Sequence, residues 1–155
     1  MRQTYDIETE PRRDMLTSLL AFCGARSTTA LLIVREKDWL TDAARRVLSE
    51  LEPHLLSKTE SAEWPGTRLF AGSATVLRYL VTPIFVSLLQ SQTEGLYQWQ
   101  QPERPEDLCF LRQDGTPLLV TITHESDAYL ELEEDEYREI MRFVPALRLS
   151  AHSAP

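Results

Sequence analysis

Apolar residues recur at helical spacing in four stretches of the chain. The first stretch begins at Asp14 and is expected to end at Gly24, because glycine favours helix termination. The second, Asp38 to Leu51, has the clearest apolar stripe, with charged residues on its opposite side. In the third, Thr82 caps a helix that has proline at its first position, and the fourth runs from about Glu134 to Phe143. The pattern therefore predicts four helices.

Short runs of β-branched and apolar residues predict the strands. They cover residues 28–35, 67–71, 74–81, 108–112, 117–125 and 128–133. The pairs Gly72-Ser73, Asp114-Gly115 and Ser126-Asp127 stand between successive runs, where tight turns would make the neighbouring strands antiparallel. Strands that are connected through a helix could pair in parallel. Together with the helices, this order predicts an α+β fold with a mixed, mainly antiparallel sheet of five to six strands.

The polar and apolar composition predicts one domain with short flexible ends. We expect a flexible N-terminus at residues 1–10, a domain over residues 11–146 and a flexible tail at residues 147–155. No apolar run reaches the roughly 18 residues of a membrane span, and the acidic start does not resemble a signal peptide. Cys23 and Cys109 lie in apolar surroundings, which favours reduced thiols. These features predict a cytoplasmic protein.

The charge is strongly acidic and unevenly placed. The net charge is −8, which argues against nucleic acid as a direct partner and favours a basic protein. The lack of a long apolar run argues against a membrane partner. Residues 106–139 contain eleven carboxylates and two arginines, so this third of the chain accounts for the whole net charge. The acidic residues at 133–136 open a helix, where the helix dipole favours negative charge. The remainder is consistent either with a partner-binding surface or with a solvated face.

The sequence has no motif typical of catalysis or metal binding. It lacks GxGxxG, GxxxxGK[ST], HExxH, GxSxG and CxxC, and its three histidines share no ligand spacing. Cys109 and His124 could form a nucleophile pair, but the Asp114-Gly115 turn places Cys109 opposite Val120, four residues from His124. We therefore expect neither an enzyme nor a cofactor or metal.

Three aromatic residues stand in or beside polar loops, outside the apolar stripes. Tyr97 and Trp99 belong to a loop rich in Gln and Pro and are predicted to be exposed anchors at the rim of an interface. Trp64 precedes Pro65-Gly66 and is interpreted as structural.

The segment "PEDLCFLRQDGTPLLVTITHESDAYLELEEDEY" resembles the small acidic immunity proteins encoded beside bacterial interbacterial toxins. The resemblance lies in the compact acidic α+β build and assigns no particular family. It implies a bacterial cytosolic antidote that binds a toxin domain and blocks the basic cleft in which the toxin binds its substrate. The candidate partner-binding residues are Asp114, Glu125, Asp127, Glu131, Glu133, Glu134, Tyr97 and Trp99.

Two other classes remain open on the sequence. The same charge pattern fits an adaptor, a regulatory protein or an anti-defence protein that occupies a basic groove without any toxin. A small enzyme would instead require a concave pocket that unites His124 with further polar groups and an acid of perturbed pKa.

Overall fold

The computed structural model of the protein describes residues 1–152, which form four α-helices and a large β-sheet. The helices are α1 (Asp14–Arg26), α2 (Asp42–Leu51), α3 (Pro83–Gln92) and α4 (Glu134–Phe143). The strands are β1 (Gln3–Ile7), β2 (Thr29–Val34), β3 (Leu55–Ser61), β4 (Glu63–Trp64), β5 (Thr67–Arg68), β6 (Ala74–Leu80), β7 (Glu106–Leu111), β8 (Pro117–Ile122), β9 (Asp127–Leu132) and β10 (Leu149–Ala151). Short 3-10 turns cover residues 52–54, 96–98 and 123–125.

Eight strands form one sheet in the order β10-β1-β9-β8-β7-β2-β6-β3. All the strand pairings within residues 1–152 are antiparallel. Helix α2 connects β2 to β3, and α3 connects β6 to β7, but each of these strand pairs is separated by another strand. Strands that are connected through a helix therefore run in the same direction but do not pair with each other. The prediction of some parallel pairing, and so of a mixed sheet, was wrong.

The helices cover one face of the sheet and enclose the main hydrophobic core. Alternate strand residues point into this layer, as shown in β9 by Ala128, Leu130 and Leu132, which are fully buried. Helices α1 and α3 approach closely at Gly24, where a Cβ atom would lie 2.5 Å from a methyl carbon of Val86. Gly24 is thus an internal residue of α1 that permits this contact, and the expectation that it ends the helix was wrong.

The opposite face of the sheet carries no helix and is covered in part by a short hairpin. This hairpin, residues 62–70, is called the arm and contains the two-stranded pair β4–β5. Trp64 and Leu69 of the arm pack with apolar residues of the sheet in a second, smaller core. At the tip, Gly66 has φ 87°, and a Cβ atom there would lie 2.7 Å from a methyl carbon of Val120. The arm therefore lies directly on β8.

The sheet is larger than the sequence pattern predicted, with eight strands instead of five to six. The start of the chain, expected to be flexible, contains β1, which pairs with both β9 and β10. Residues 149–151, in the expected tail, form β10, and residues 153–155 lie outside the described part of the chain. Strand β3 lies in a polar stretch for which no strand was predicted, because an edge strand exposes many of its side chains.

Two local predictions also differ from the structure. Helix α2 begins at Asp42, where Thr41 accepts a hydrogen bond from the Ala44 amide at 3.2 Å, so the exposed Trp39 precedes the helix. Within residues 67–71, only β5 is a strand, and it pairs with β4 rather than across Gly72-Ser73 with β6. The Thr82 cap of α3 is confirmed, since its hydroxyl accepts from the Phe85 amide at 3.1 Å.

Candidate partner-binding surface

Strand β9 presents a row of polar side chains on the helix-free face of the sheet. Because side chains alternate along a strand, Asp127, Tyr129 and Glu131 point away from the helix layer, opposite to their buried neighbours. Glu125 lies in the turn just before β9 and is exposed. We call Glu125, Asp127, Tyr129 and Glu131 the acidic strip.

Burial and neighbouring charge alter the titration of two members of the acidic strip. Burial raises the pKa of Tyr129 to about 12, and the carboxylates of Glu131 and Asp127 add to this effect. Burial also raises the pKa of Glu131, although Arg112 and Arg2 oppose the shift. The strip thus combines a half-buried aromatic ring with one partly buried carboxylate, Glu131, and two exposed ones, Glu125 and Asp127.

The remaining acidic candidates lie near the other end of β9. Arg2 links two of them, because its guanidinium lies 3.6 Å from Asp114 Oδ2 and 3.3 Å from Glu133 Oε1. The Met1 ammonium is 3.0 Å from Glu133 Oε2. Glu134, in the first turn of α4, has 85% of its side chain exposed. The fold therefore aligns the six acidic candidates along β9 and its two ends, but it neutralises part of the charge at the α4 end.

The two aromatic candidates differ from their predicted exposure. Trp99 is fully buried in the main core, so the interpretation of this residue as an exposed rim anchor was wrong. Tyr97 is half-buried and packs against the same core, and its amide donates to Glu10 Oε2 at 2.8 Å. Burial raises the pKa of Tyr97 to about 12, with further effects from Asp127 and Glu10. Tyr97 thus lies beside the start of β9, and only part of its ring is exposed for contact with a partner.

Two carboxylates of the acidic segment are internal rather than superficial. Asp107 is fully buried and accepts hydrogen bonds from Trp64 Nε1 at 3.0 Å and from the amide and hydroxyl of Thr123, both at 2.9 Å. Arg35 Nη2 lies 3.4 Å from Asp107 Oδ2, and Arg35 Nε lies 2.9 Å from Glu106 Oε2. We call Arg35, Glu106 and Asp107 the charged cluster.

The charged cluster places two carboxylates against one guanidinium. Burial raises the pKa of Glu106, and the neighbouring charge of Asp107 raises it further, whereas Arg35 lowers it. Asp107 also has φ 54°, a left-handed backbone conformation that is uncommon for residues other than glycine. Sequence reasoning missed the cluster, because adjacent acids at the start of a strand gave no sign that they are buried.

A cleft of about 340 Å³ lies between the arm and the end of β8. Its lining includes Arg35, Arg68, Phe70, Ile122, His124 and Glu125. Arg35 Nη2 is 3.4 Å from His124 Nδ1, so the cleft adjoins the charged cluster. Phe70 is fully exposed. This exposure was not predicted, because Phe70 stands in the apolar run of residues 67–71, which was expected to be a strand of the sheet.

The burial of Cys109 makes its thiol a poor candidate nucleophile. Cys109 is fully buried, its thiol donates to the Asp107 carbonyl at 3.3 Å, and burial raises its pKa to about 12. A buried protonated thiol is a poor nucleophile. Residues 1–152 contain no group of His, Cys, Asp and Glu side chains suited to holding a metal ion. In the same range, no helix is long and apolar enough to cross a membrane.

Comparisons with protein families, curated proteins and solved structures find no match to the chain.

Proposed function

We propose that the chain is a protein-binding protein whose acidic strip docks on a basic surface of its partner. The observation that carries this proposal is that Asp127, Tyr129 and Glu131 share the helix-free face of β9, with Glu125 beside its first residue. Like charges this close repel one another and lower stability, and a partner of opposite charge would relieve that repulsion. Tyrosine is also among the residues that most often contribute large binding energies at protein interfaces.

The specific form of the proposal is an immunity protein that neutralises a toxin domain in the bacterial cytoplasm. A toxin that acts on an anionic substrate needs a cleft lined by lysine and arginine, and an acidic strip can occupy such a cleft in place of the substrate. The strip would speed association by electrostatic steering, and Tyr129 would contribute apolar contact once the complex has formed. In this mechanism the chain itself performs no chemistry.

The same surface also fits an adaptor or regulatory protein that occupies a basic groove in a partner other than a toxin. The two forms differ in the partner and not in the binding surface. They are separated by whether the bound partner has a toxic activity that this chain inhibits.

One observation favours a small enzyme as the second candidate. His124 opens onto the cleft and lies beside Arg35, which contacts Glu106, an acid of raised pKa. Such an arrangement is typical of sites for acid–base chemistry. Against it, Asp107 is occupied by Trp64 and Thr123. We therefore prefer the binding function.

The proposal is tested by recovering partners from the native cells with the tagged protein at low and moderate salt. We expect one stoichiometric basic protein, which moderate salt releases and which the variant Asp127→Lys/Glu131→Lys does not retain. The variant Asp42→Lys/Glu50→Lys makes the same charge change on exposed residues of α2 and serves as the control. Equal recovery by wild type and both variants would exclude the acidic strip from partner binding.

If a partner is recovered, its activity is then assayed with and without this chain. Inhibition that the strip variant loses and the α2 variant keeps would support the immunity form. Full activity of the partner in the complex would favour the adaptor form.

A further inference from the structure

A partly open pocket of about 220 Å³ lies between α2 and the strands β2, β6 and β3, on the face of the sheet that carries the helices. We call it the α2 pocket. Its apolar lining belongs to the main core or packs against it, and consists of Val34, Leu40, Leu48, Leu77 and Tyr79. An engineered apolar cavity of roughly 150 Å³ holds a benzene molecule, so the α2 pocket has room for an apolar group of about six to ten carbon atoms.

The rim of the α2 pocket is positively charged, although the chain has a net charge of −8. The sequence contains only two lysines, Lys37 and Lys58, and both line this pocket. Arg45 is the third cation of the lining, and within residues 1–152 Glu52 is its only carboxylate. The three cations come from the loop after β2, from β3 and from α2, so the fold brings them together from separate parts of the chain.

Strand pairing explains why an edge strand contributes a cation to this pocket. Lys58 of β3 stands opposite Leu77 of β6 in the antiparallel register. Residues paired in this way point to the same face of a sheet, and Leu77 belongs to the core under the helices. Lys58 therefore points towards the helix side of the sheet, where it remains exposed.

Two of the three cations have no ionic partner in the fold. Lys37 Nζ lies 3.5 Å from Glu60 Oε1, and this oxygen also accepts a hydrogen bond from the Thr75 hydroxyl at 2.7 Å. Arg45 and Lys58 form no ion pair with a carboxylate among residues 1–152. Even when Glu60 is added to the lining, three cations stand against two carboxylates. The mouth of this apolar pocket therefore favours an anion.

We propose that the α2 pocket binds a small monocarboxylate with an apolar body, such as a medium-chain fatty acid. Its carboxylate would lie between Arg45 and Lys58, and its apolar body would cover Leu40, Leu48 and Leu77. A guanidinium can bind a carboxylate through two parallel hydrogen bonds, and burial of the apolar body adds a second favourable contribution. The Glu52 carboxylate would repel further negative charge, so a singly charged anion fits better than a polyanion.

The α2 pocket and the acidic strip are separate sites. The strip lies on the helix-free face of β9, and the strands β8, β7, β2 and β6 stand between β9 and β3 in the sheet. This inference thus goes beyond the proposed function and does not rest on it.

The probe for this proposal is octanoate, titrated into the full chain below its micelle-forming concentration and followed by methyl and ring NMR signals. We expect saturable shifts at Leu40, Leu48, Leu77 and Tyr79. Octanamide has the same chain length without the charge, and acetate has the charge without the chain. Each of these two control probes should bind much more weakly than octanoate.

Variants separate the charged rim from the apolar floor. Arg45→Gln and Lys58→Gln should each weaken octanoate binding roughly 2- to 5-fold, the range expected for one exposed ion pair, and should leave octanamide binding unchanged. Arg46→Gln makes the same change on the next residue of α2, which is exposed and outside the lining, and should leave octanoate binding unchanged. Leu40→Ala should weaken binding of octanoate and octanamide alike, because it removes apolar contact.

Several results would overturn the proposal. Equal affinity for octanoate and octanamide would show that the pocket does not select an anion. An absence of saturable shifts in the α2 pocket would exclude the site, as would shifts confined to another groove, such as the one between α1 and α4 that Phe22 and Phe143 line. The strip variant Asp127→Lys/Glu131→Lys should bind octanoate as wild type does, so the pocket and the proposed function succeed or fail separately.

Discussion

The charged cluster should be a major determinant of stability, and Asp107 is the residue through which to test it. Its carboxylate joins three separate parts of the fold: Trp64 of the arm, Thr123 after β8 and Arg35 after β2. Because Asp107 is fully buried, no solvent is available to replace these contacts. Replacing Asp107 by alanine would leave the donors of Trp64 and Thr123 without this acceptor, whereas Arg35 would keep its contact with Glu106.

The expected cost follows from those contacts. An unsatisfied buried donor costs about 1–3 kcal/mol. Three donors, Trp64 Nε1 and the amide and hydroxyl of Thr123, lose the carboxylate, and their costs overlap because one group accepts from all of them. We therefore expect Asp107→Ala to lower the free energy of unfolding by about 3–5 kcal/mol. Asp107→Asn keeps one oxygen acceptor and tolerates the left-handed backbone, so it should cost about 1–3 kcal/mol.

The assay is equilibrium unfolding in urea, followed by circular dichroism and by tryptophan fluorescence. Glu134→Ala removes a carboxylate that is 85% exposed and should change stability by less than about 0.5 kcal/mol. The order of stability should be wild type and Glu134→Ala first, then Asp107→Asn, then Asp107→Ala. A loss of less than about 1 kcal/mol for Asp107→Ala, with an unchanged denaturant slope, would refute the role given to this carboxylate.

Three further predictions concern pH, thiol chemistry and helix capping. Because the pKa of Glu106 is raised in the folded protein, ionisation of this carboxyl opposes folding. Wild type should therefore lose stability relative to Glu106→Gln as the pH rises above about 4.5 and through the raised pKa. A stability difference between the two proteins that does not change with pH would contradict this. Cys23 and Cys109 are both fully buried, and burial raises the pKa of each thiol. A thiol reagent should therefore label neither cysteine in the native protein and both after unfolding. Fast labelling of the native protein would contradict the burial of these thiols. Thr82→Ala removes the side-chain cap of α3 and should cost about 1 kcal/mol in urea unfolding, while Thr82→Ser should restore most of it.

The elements with strong local signals could be predicted from the sequence. Helix α4 has the predicted bounds, because its apolar period and acidic first turn agree. Strand β2, a continuous apolar run, lies inside the predicted range, as expected for a strand covered on both faces. The Thr82-Pro83 start of α3 was found for the same reason, since the capping chemistry involves adjacent residues.

The parts that depend on distant contacts could not be predicted. Strand β3 is polar because it lies at the sheet edge, and β1 is recognisable only from its partners β9 and β10. Trp99 stands among glutamines and prolines, yet the fold places its ring in the core. Asp127 and Glu131 were selected for their charge, and their common face became apparent only when Asp127 proved to be the first residue of β9 rather than part of a turn. The burial of Glu106 and Asp107 depends on Arg35, which is about seventy positions away in the sequence.

The most direct test of the central claim is the rate of association between this chain and its recovered partner, measured over a range of salt concentrations. Wild type should associate fast at low salt and slow steeply as salt rises. Asp127→Lys/Glu131→Lys should associate at least about 10-fold more slowly at low salt and depend much less on salt, because steering by surface charge is lost. The control Asp42→Lys/Glu50→Lys should stay close to wild type. Equal association rates and equal salt dependence for wild type and the strip variant would contradict the claim that the acidic strip binds the partner.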